Sequence, residues 1–148
     1  MYLEVVYMCT VAFTGYRPEK MPFIENKKDE MYVHFREQEL KVINRLIERG
    51  YTHFISGVAM GFDTWVAEDV LELQKKNKEL HLECAIPCPD QDKKWESADQ
   101  KRRRKILKKA NESTLLVLLI LTRIFSKFFS TFCVKPIDFS YMFCYNDN

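Results

Sequence analysis

Glycine is scarce in this chain, with four residues in 148, at positions 15, 50, 57 and 61, and none of them forms a Gly-x-Gly pair. That excludes the Gly-x-Gly-x-x-Gly fingerprint of dinucleotide-binding domains. Cysteine is present but unsuited to a metal. The five residues (9, 84, 88, 133 and 144) are odd in number and contain no Cys-x-x-Cys pair. Cys84 and Cys88 stand near His81 without a second ligand pair, so free thiols are expected and no metal site. An excess of one charge is also lacking: 23 basic residues stand against 21 acidic ones, a net charge of +2. Bulk charge therefore favours no partner, and only its distribution is informative. Long apolar runs are missing too. The most membrane-like stretch, Leu115–Leu121, falls far short of the roughly 18–20 residues that span a bilayer, and Arg123 and Lys127 interrupt any longer window. No basic region followed by an apolar run marks a secretory signal. A cytoplasmic protein without membrane contact is expected.

What is present reads as a folded domain. A hydrophobic share of 47% with 30% charged residues is incompatible with disorder and sufficient for a core. The length suits one domain, with residues 1–8 as a leader. Cys9–Thr14 is β-branched, aromatic and continuously apolar, the pattern of a strand covered on both faces. Further strands are expected at Thr52–Ser56, Leu80–Ile86, Leu115–Leu121 and Phe139–Tyr145. Helices are expected at Glu30–Arg49, with a stripe of Phe35, Leu40, Ile43, Leu46 and Ile47 and Gly50 as its cap, at Phe62–Lys76 and at Glu96–Ala110. Residues 122–134 read equally as a short helix or a strand. Alternation of strands and helices predicts an α/β fold, a Rossmann-like three-layer sandwich whose mainly parallel sheet has about five strands, with helices on both faces.

In such sheets ligands bind beyond the C-terminal strand ends, and three marked segments fall there: Thr14–Pro18, Ser56–Asp63 and Pro87–Trp95. The middle one joins a strand to a helix through Gly57 and Gly61. Unpaired N–H groups and the helix dipole make such a turn an anion site, with glycines admitting the backbone to a phosphate. On that reading a side chain at Gly61 blocks binding. The alternative is an ordinary bend. Arg17 grips a phosphate bidentately or forms a surface salt bridge. Ser56 donates to phosphate or caps the helix. Asp63 meets a ribose hydroxyl or a base edge, or simply suits the helix dipole. Gln91 and Trp95 reach a base or pack under their helix, and Trp65 belongs to the core. Catalysis, if present, is hydrolysis or transfer at a glycosidic or phosphate bond with Asp63 or Asp90 as acid or base.

These motifs, Thr-Gly-x-Arg-Pro at 14–18, Ser-Gly-x-Ala-x-Gly-x-Asp-x-Trp at 56–65 and Pro-x-x-x-Gln-x-x-x-Trp at 87–95, resemble the SLOG superfamily. The nearest branch is the small YpsA-like proteins, single Rossmann-like domains of unsettled function. The resemblance covers residues 9–110. The superfamily includes DNA-processing proteins that bind single strands, cytokinin-activating phosphoribohydrolases, and proposed sensors or processors of nucleotide derivatives. It implies a nucleotide or ADP-ribose-like ligand held by Thr14, Gly15, Arg17, Ser56, Gly57, Ala59, Gly61, Asp63 and Gln91, in a monomer or homo-oligomer. The chain departs from that pattern. The Pro-Gly-Gly-x-Gly-Thr-x-x-Glu signature of the phosphoribohydrolases is absent. So are the Gly-Gly-Thr loop that follows the last strand in YpsA-like relatives and the Arg–Asn pair expected in 122–138. Residues 111–148 are read as truncated, frameshifted or strongly diverged.

A second feature lies outside these motifs. Residues 101–109 hold seven positive charges. The bland reading is a solvated helix face favoured by the dipole. The other is a non-enzymatic nucleic-acid-binding module using Lys101, Arg103, Arg104 and Lys105. Arg102 falls amid Trp95, Ala98, Ile106 and Ala110 on the helix wheel. It must snorkel, pair with a carboxylate or bind an anion.

Overall fold

The computed structural model describes residues 9–23, 25–116 and the strand at 141–145. Four strands run parallel: β1 (Cys9–Thr14), β2 (Tyr51–Ser56), β3 (His81–Ile86) and β4 (Glu112–Leu115). A fifth, β5 (Tyr141–Tyr145), pairs antiparallel with β1, giving the order β4-β3-β2-β1-β5. Between the parallel strands run α1 (Glu30–Glu48), α2 (Phe62–Leu73) and α3 (Ser97–Lys109). Each crossover steps to the next strand in the same direction. With right-handed connections, all three helices must then lie on one face of the sheet, and α1 indeed packs on α2 and α2 on α3. The described residues thus supply two of the three expected layers. The ambiguous segment 122–134 and residues 117–121 of the expected strand Leu115–Leu121 lie outside them, as do residues 1–8. Among the described residues no helix is long and apolar enough to cross a membrane.

The two-residue period of the strands sorts the faces. Val11, Phe13, Phe54, Ser56, Leu82 and Cys84 are buried under the helices, while Ala12, His53, Ile55, His81, Glu83 and Ala85 are half-buried on the other face. There His53 Nε2 lies 3.0 Å from Glu83 Oε2 and Thr114 donates to Glu83 at 2.8 Å. The central helix α2 is buried over Phe62–Ala67 and Val70, because it has a neighbour on either side and the sheet beneath. Trp65 is 1% exposed, and Phe23, Tyr32 and Phe35 close around it with ring centroids 5.3–6.2 Å away. It is core.

The expected stripe of α1 holds at Phe35, Ile43, Leu46 and Ile47, which are buried or pack against the core, and fails at Leu40. In α1 the buried positions are Glu39, Ile43 and Leu46, and Leu40 is 38% exposed. Glu39 is drawn inward beside Arg36, 3.3 Å away, whose guanidinium also bonds Asp69 of α2 at 2.8 Å. Burial pushes the Glu39 carboxyl up to about 8. In α3 the buried residues are Arg103 and Ile106, while Ala98 is exposed. α1 begins on Asp29, whose carboxylate accepts from the N–H groups of Met31 and Tyr32. It ends at Gly50, whose φ of +89° continues the chain where other residues are strained.

Candidate functional site

The C-terminal ends of β1, β2 and β3 carry the three loops singled out by their sequence, and buried side chains brace these loops to one another. Asp63, in the first turn of α2, is 6% exposed. Its Oδ1 accepts the Gly15 N–H at 3.2 Å, and the Ala59 N–H donates to the same carboxylate. One side chain thus ties the loop after β1 to the loop after β2. Burial, opposed by these donors and by the charge of Arg17, pushes the Asp63 carboxyl up to about 6. Ser56, fully buried, donates to the Asp63 carbonyl at 2.7 Å and accepts from Val58 N–H at 3.1 Å. That locks Val58 at φ +50°, a left-handed conformation that β-branched residues avoid. Thr64 closes the turn by donating to the Ala59 carbonyl at 2.6 Å.

The anion-site reading of this turn requires free donors, and most are engaged internally. Phe62 N–H reaches the Tyr16 carbonyl at 3.4 Å, Thr64 N–H the Ala59 carbonyl at 3.2 Å and Trp65 N–H the Gly61 carbonyl at 3.1 Å. Nor do the glycines clear space for a phosphate. A Cβ on Gly61 would stand 2.8 Å from the Tyr16 carbonyl oxygen, one on Gly57 2.9 Å from Asp63 Oδ2, and one on Gly15 2.7 Å from the Cβ of Phe62. Each glycine is where two parts of the protein touch. The expectation that a side chain at Gly61 acts by blocking a ligand is corrected accordingly.

The third loop is braced from α3. Gln91 donates to the Gly57 carbonyl at 3.1 Å and accepts from Arg103 Nη2 at 3.1 Å, while Arg103 Nη1 lies 3.6 Å from Asp92. Arg103 is 5% exposed. Its guanidinium positions the loop and cannot present itself to a nucleic-acid backbone, which removes it from the expected basic surface. Sequence spacing held the signal: Asp99, Arg103, Ile106 and Ala110 form a helical stripe once a paired arginine is admitted to it. Lys101, Arg104 and Lys105 are exposed.

On the outside of this braced framework Thr14 and Arg17 are exposed, and so is Asp90. Arg17 forms no salt bridge with any described residue. A small cavity of about 170 Å³ opens at Pro18, the residue after Arg17; Met60, Gly61, Thr64, Trp95 and Arg102 line it together with the acidic Glu25 and Asp99. Trp95 is half-buried and faces this space. Arg102 takes the carboxylate-paired course. Nε and Nη2 bond both oxygens of Glu68 at 2.7 and 2.6 Å, and Nη1 bonds Glu25 at 2.6 Å. The geometry is bidentate but a third of each carboxylate side chain is exposed. Arg102→Leu should therefore lower stability by only about 1 kcal/mol in urea denaturation; an unchanged midpoint would show that the pair contributes nothing.

Comparison with known proteins finds relatives over most of this chain. A UPF0398 protein of Bacillus pumilus (strain SAFR-032) is 31% identical over 105 residues, 70% of this chain and 55% of its own length. One from Halalkalibacterium halodurans is 28% identical over 107 residues, 70% and 54% respectively. One from Staphylococcus aureus (strain JH9) is 30% identical over 103 residues, 69% and 54%. The chain spans about half the length of these curated relatives. The family described as the YspA SLOG family matches residues 11–118, the whole run from β1 through the braced loops to β4. With the Asp63 and Gln91 braces and the Thr14–Pro18 loop all inside that match, the chain belongs to the YspA SLOG family.

Proposed function

We propose that this chain binds a nucleotide or nucleotide derivative, ADP-ribose-like in its phosphates, over the C-terminal ends of β1, β2 and β3. The observation that carries the reading is Arg17. It is an exposed guanidinium without a salt bridge among the described residues, at the one end of the sheet where three loops are held rigid from beneath. A preformed frame lowers the ordering cost of binding, and a free guanidinium offers a forked contact to a phosphate. Thr14, beside it, supplies a hydroxyl. The interior residues Ser56, Gly57, Ala59, Gly61, Asp63 and Gln91 support this surface from below; their polar atoms are engaged with one another. Trp95, half-buried at the adjacent cavity, offers a flat face for a base. Membership of the SLOG family supports a nucleotide-related role, and the relatives' names state no activity. The reading is one of binding. Hydrolysis or transfer on the bound ligand would fall to Asp90, the exposed carboxylate of the same end.

Thermal-shift and calorimetric titration with mono- and dinucleotides and ADP-ribose tests this. A ligand at a hundredfold excess over its Kd should stabilise the fold by about 2.7 kcal/mol. Arg17→Gln should leave the free protein folded, with at most a slightly lower melting temperature as its charge is lost beside Asp63, and weaken binding by about 10–100-fold, the loss of one charge-assisted contact. Equal affinity in the variant would remove Arg17 from the site. No stabilisation by any of these ligands would remove the reading itself.

A further inference from the structure

A second surface, at the far side of the helical layer, has a chemistry that the proposed nucleotide site does not use. Between α2 and α3 runs an open groove of about 500 Å³, lined by Glu68, Leu71, Glu72, Gln74, Lys75, Lys78, Arg102, Lys105, Ile106 and Lys109. Its charges do not cancel. Arg102 is neutralised by Glu68 and Glu25, and Lys75 is bonded to Glu72. That exhausts the two carboxylates of the lining. Lys78, Lys105 and Lys109 form no salt bridge with a described residue. Beside the groove Lys101, Arg104 and Lys108 are exposed on the same helix, again without a salt bridge. Lys101, Lys105 and Lys109 recur every four residues, which spaces them by about 6 Å along α3.

We propose that the α2–α3 groove and the adjoining face of α3 dock a nucleic acid by its phosphate backbone, independently of base sequence. A row of evenly spaced cations without a salt bridge to a described residue, Lys109 acting on Glu72 only at longer range, matches a linear polyanion, and counterion release then supplies the affinity. The lining offers nothing else. It contains no aromatic side chain on which a base would stack, and its apolar members are Leu71 and the buried Ile106, which make no pocket for the side chains of a peptide. α2 and α3 run antiparallel to the strands, so Lys78 and Lys109 lie towards the N-terminal strand ends, opposite Arg17. Arg102 alone lines both this groove and the small cavity at Pro18. Arg103, buried under Gln91, takes no part.

The test is fluorescence anisotropy of the full chain with a short labelled duplex and with its single strand. Between about 50 and 200 mM salt, Lys78→Gln/Lys105→Gln/Lys109→Gln should flatten the slope of log affinity against log salt by about 2–3, since each lost phosphate contact removes about 0.7–0.9. The corresponding triple Lys→Arg variant should keep the wild-type slope, and circular dichroism should show all variants folded. Binding of either form of nucleic acid with this loss supports the proposal. Absence of binding to both at low salt, or an unchanged slope in the Gln variant, refutes it. Displacement by polyglutamate at equal charge concentration would make the groove an acidic-polypeptide site instead. An equal loss in Arg17→Gln would put the nucleic acid at the other end of the sheet.

Discussion

Gly61→Val should lose about 3–5 kcal/mol of folding stability, a large part of the roughly 5–15 kcal/mol that a domain possesses. Gly61 adopts φ +88° and ψ −129°, a mirror-β conformation that residues with a Cβ hardly visit, at about 1–3 kcal/mol of strain. The added side chain also enters occupied space, with its Cβ 2.8 Å from the Tyr16 carbonyl oxygen and 3.0 Å from Pro18 Cδ. Neither neighbour is the free end of a flexible chain. Yielding would pull Tyr16 O away from Phe62 N–H, the bond that seats the loop after β1 on the start of α2. Overpacking of this kind adds about 1–3 kcal/mol. Gly50→Ala supplies the internal control. Its φ is +89° as well, but nothing lies within 4 Å of the added Cβ, so only the backbone strain remains and the loss should be nearer 1 kcal/mol. Urea denaturation of the two variants checks both figures. Similar midpoints would mean that contact between the loops does not set the cost at Gly61.

The sheet and its crossovers were legible because apolar runs bounded by Gly and Pro mark buried strands, and β1 is found at the expected residues, Cys9–Thr14. β4 begins three residues before the expected strand Leu115–Leu121, of which Leu115 and Leu116 are described. Its residues Glu112, Ser113 and Thr114 are polar, and among the described residues it pairs with β3 alone. A polar start carries no apolar run, so the hydrophobic signal begins at Leu115. Single helix positions were missed for a related reason. A stripe ranked by hydrophobicity selects Leu40 over Glu39 and leaves out Arg103. In the fold Glu39 is held by Arg36, and Arg103 by Gln91 and Asp92. Charges buried in company are invisible to a scale that counts residues singly.

The placement of the three loops was legible in the sequence, and the bonding of their side chains was not. The spacing of Thr14–Pro18, Ser56–Asp63 and Pro87–Trp95 put three loops at one end of the sheet, and there they are. The same Ser, Gly and Asp residues suit either a phosphate cradle or a turn that satisfies itself, because both need short donors, acceptors and absent side chains. Only coordinates separate the two. Ser56, Asp63 and Thr64 spend their hydrogen bonds on the turn, which is why the proposal above rests on Arg17 instead. Gln91, read as a group that meets a base, is likewise occupied at both ends of its amide. The motif residues of this chain therefore divide into a few that face solvent and many that hold the loops in place.

Asp63 should show the second large effect, and two substitutions separate its bonding from its charge. Asp63→Leu leaves the Gly15 and Ala59 N–H groups without an acceptor in a buried turn. At about 1–3 kcal/mol for each orphaned donor, the expected loss is about 2–5 kcal/mol. Asp63→Asn keeps one oxygen for Gly15 and removes the charge. Burial raises the Asp63 carboxyl from 3.8 to about 6, so the folded state holds its proton more tightly than the unfolded chain. Below pH 4 both states are protonated and the group contributes no pH dependence. As pH rises from about 4 to 6 the unfolded chain ionises first, and the fold loses stability, by about 3 kcal/mol from this group at one unit per 1.36 kcal/mol. Above pH 6 the loss is complete and constant. Glu39, raised from 4.5 to about 8, adds a slope of the same sign over 4.5–8 in wild type and variant alike, so the difference between the two isolates Asp63. That difference should move in favour of Asp63→Asn between pH 4 and 6 and then level off. A difference that stays flat through this window, measured by denaturation midpoints at closely spaced pH values, would show that the Gly15 and Ala59 donors fully offset the burial of the carboxylate.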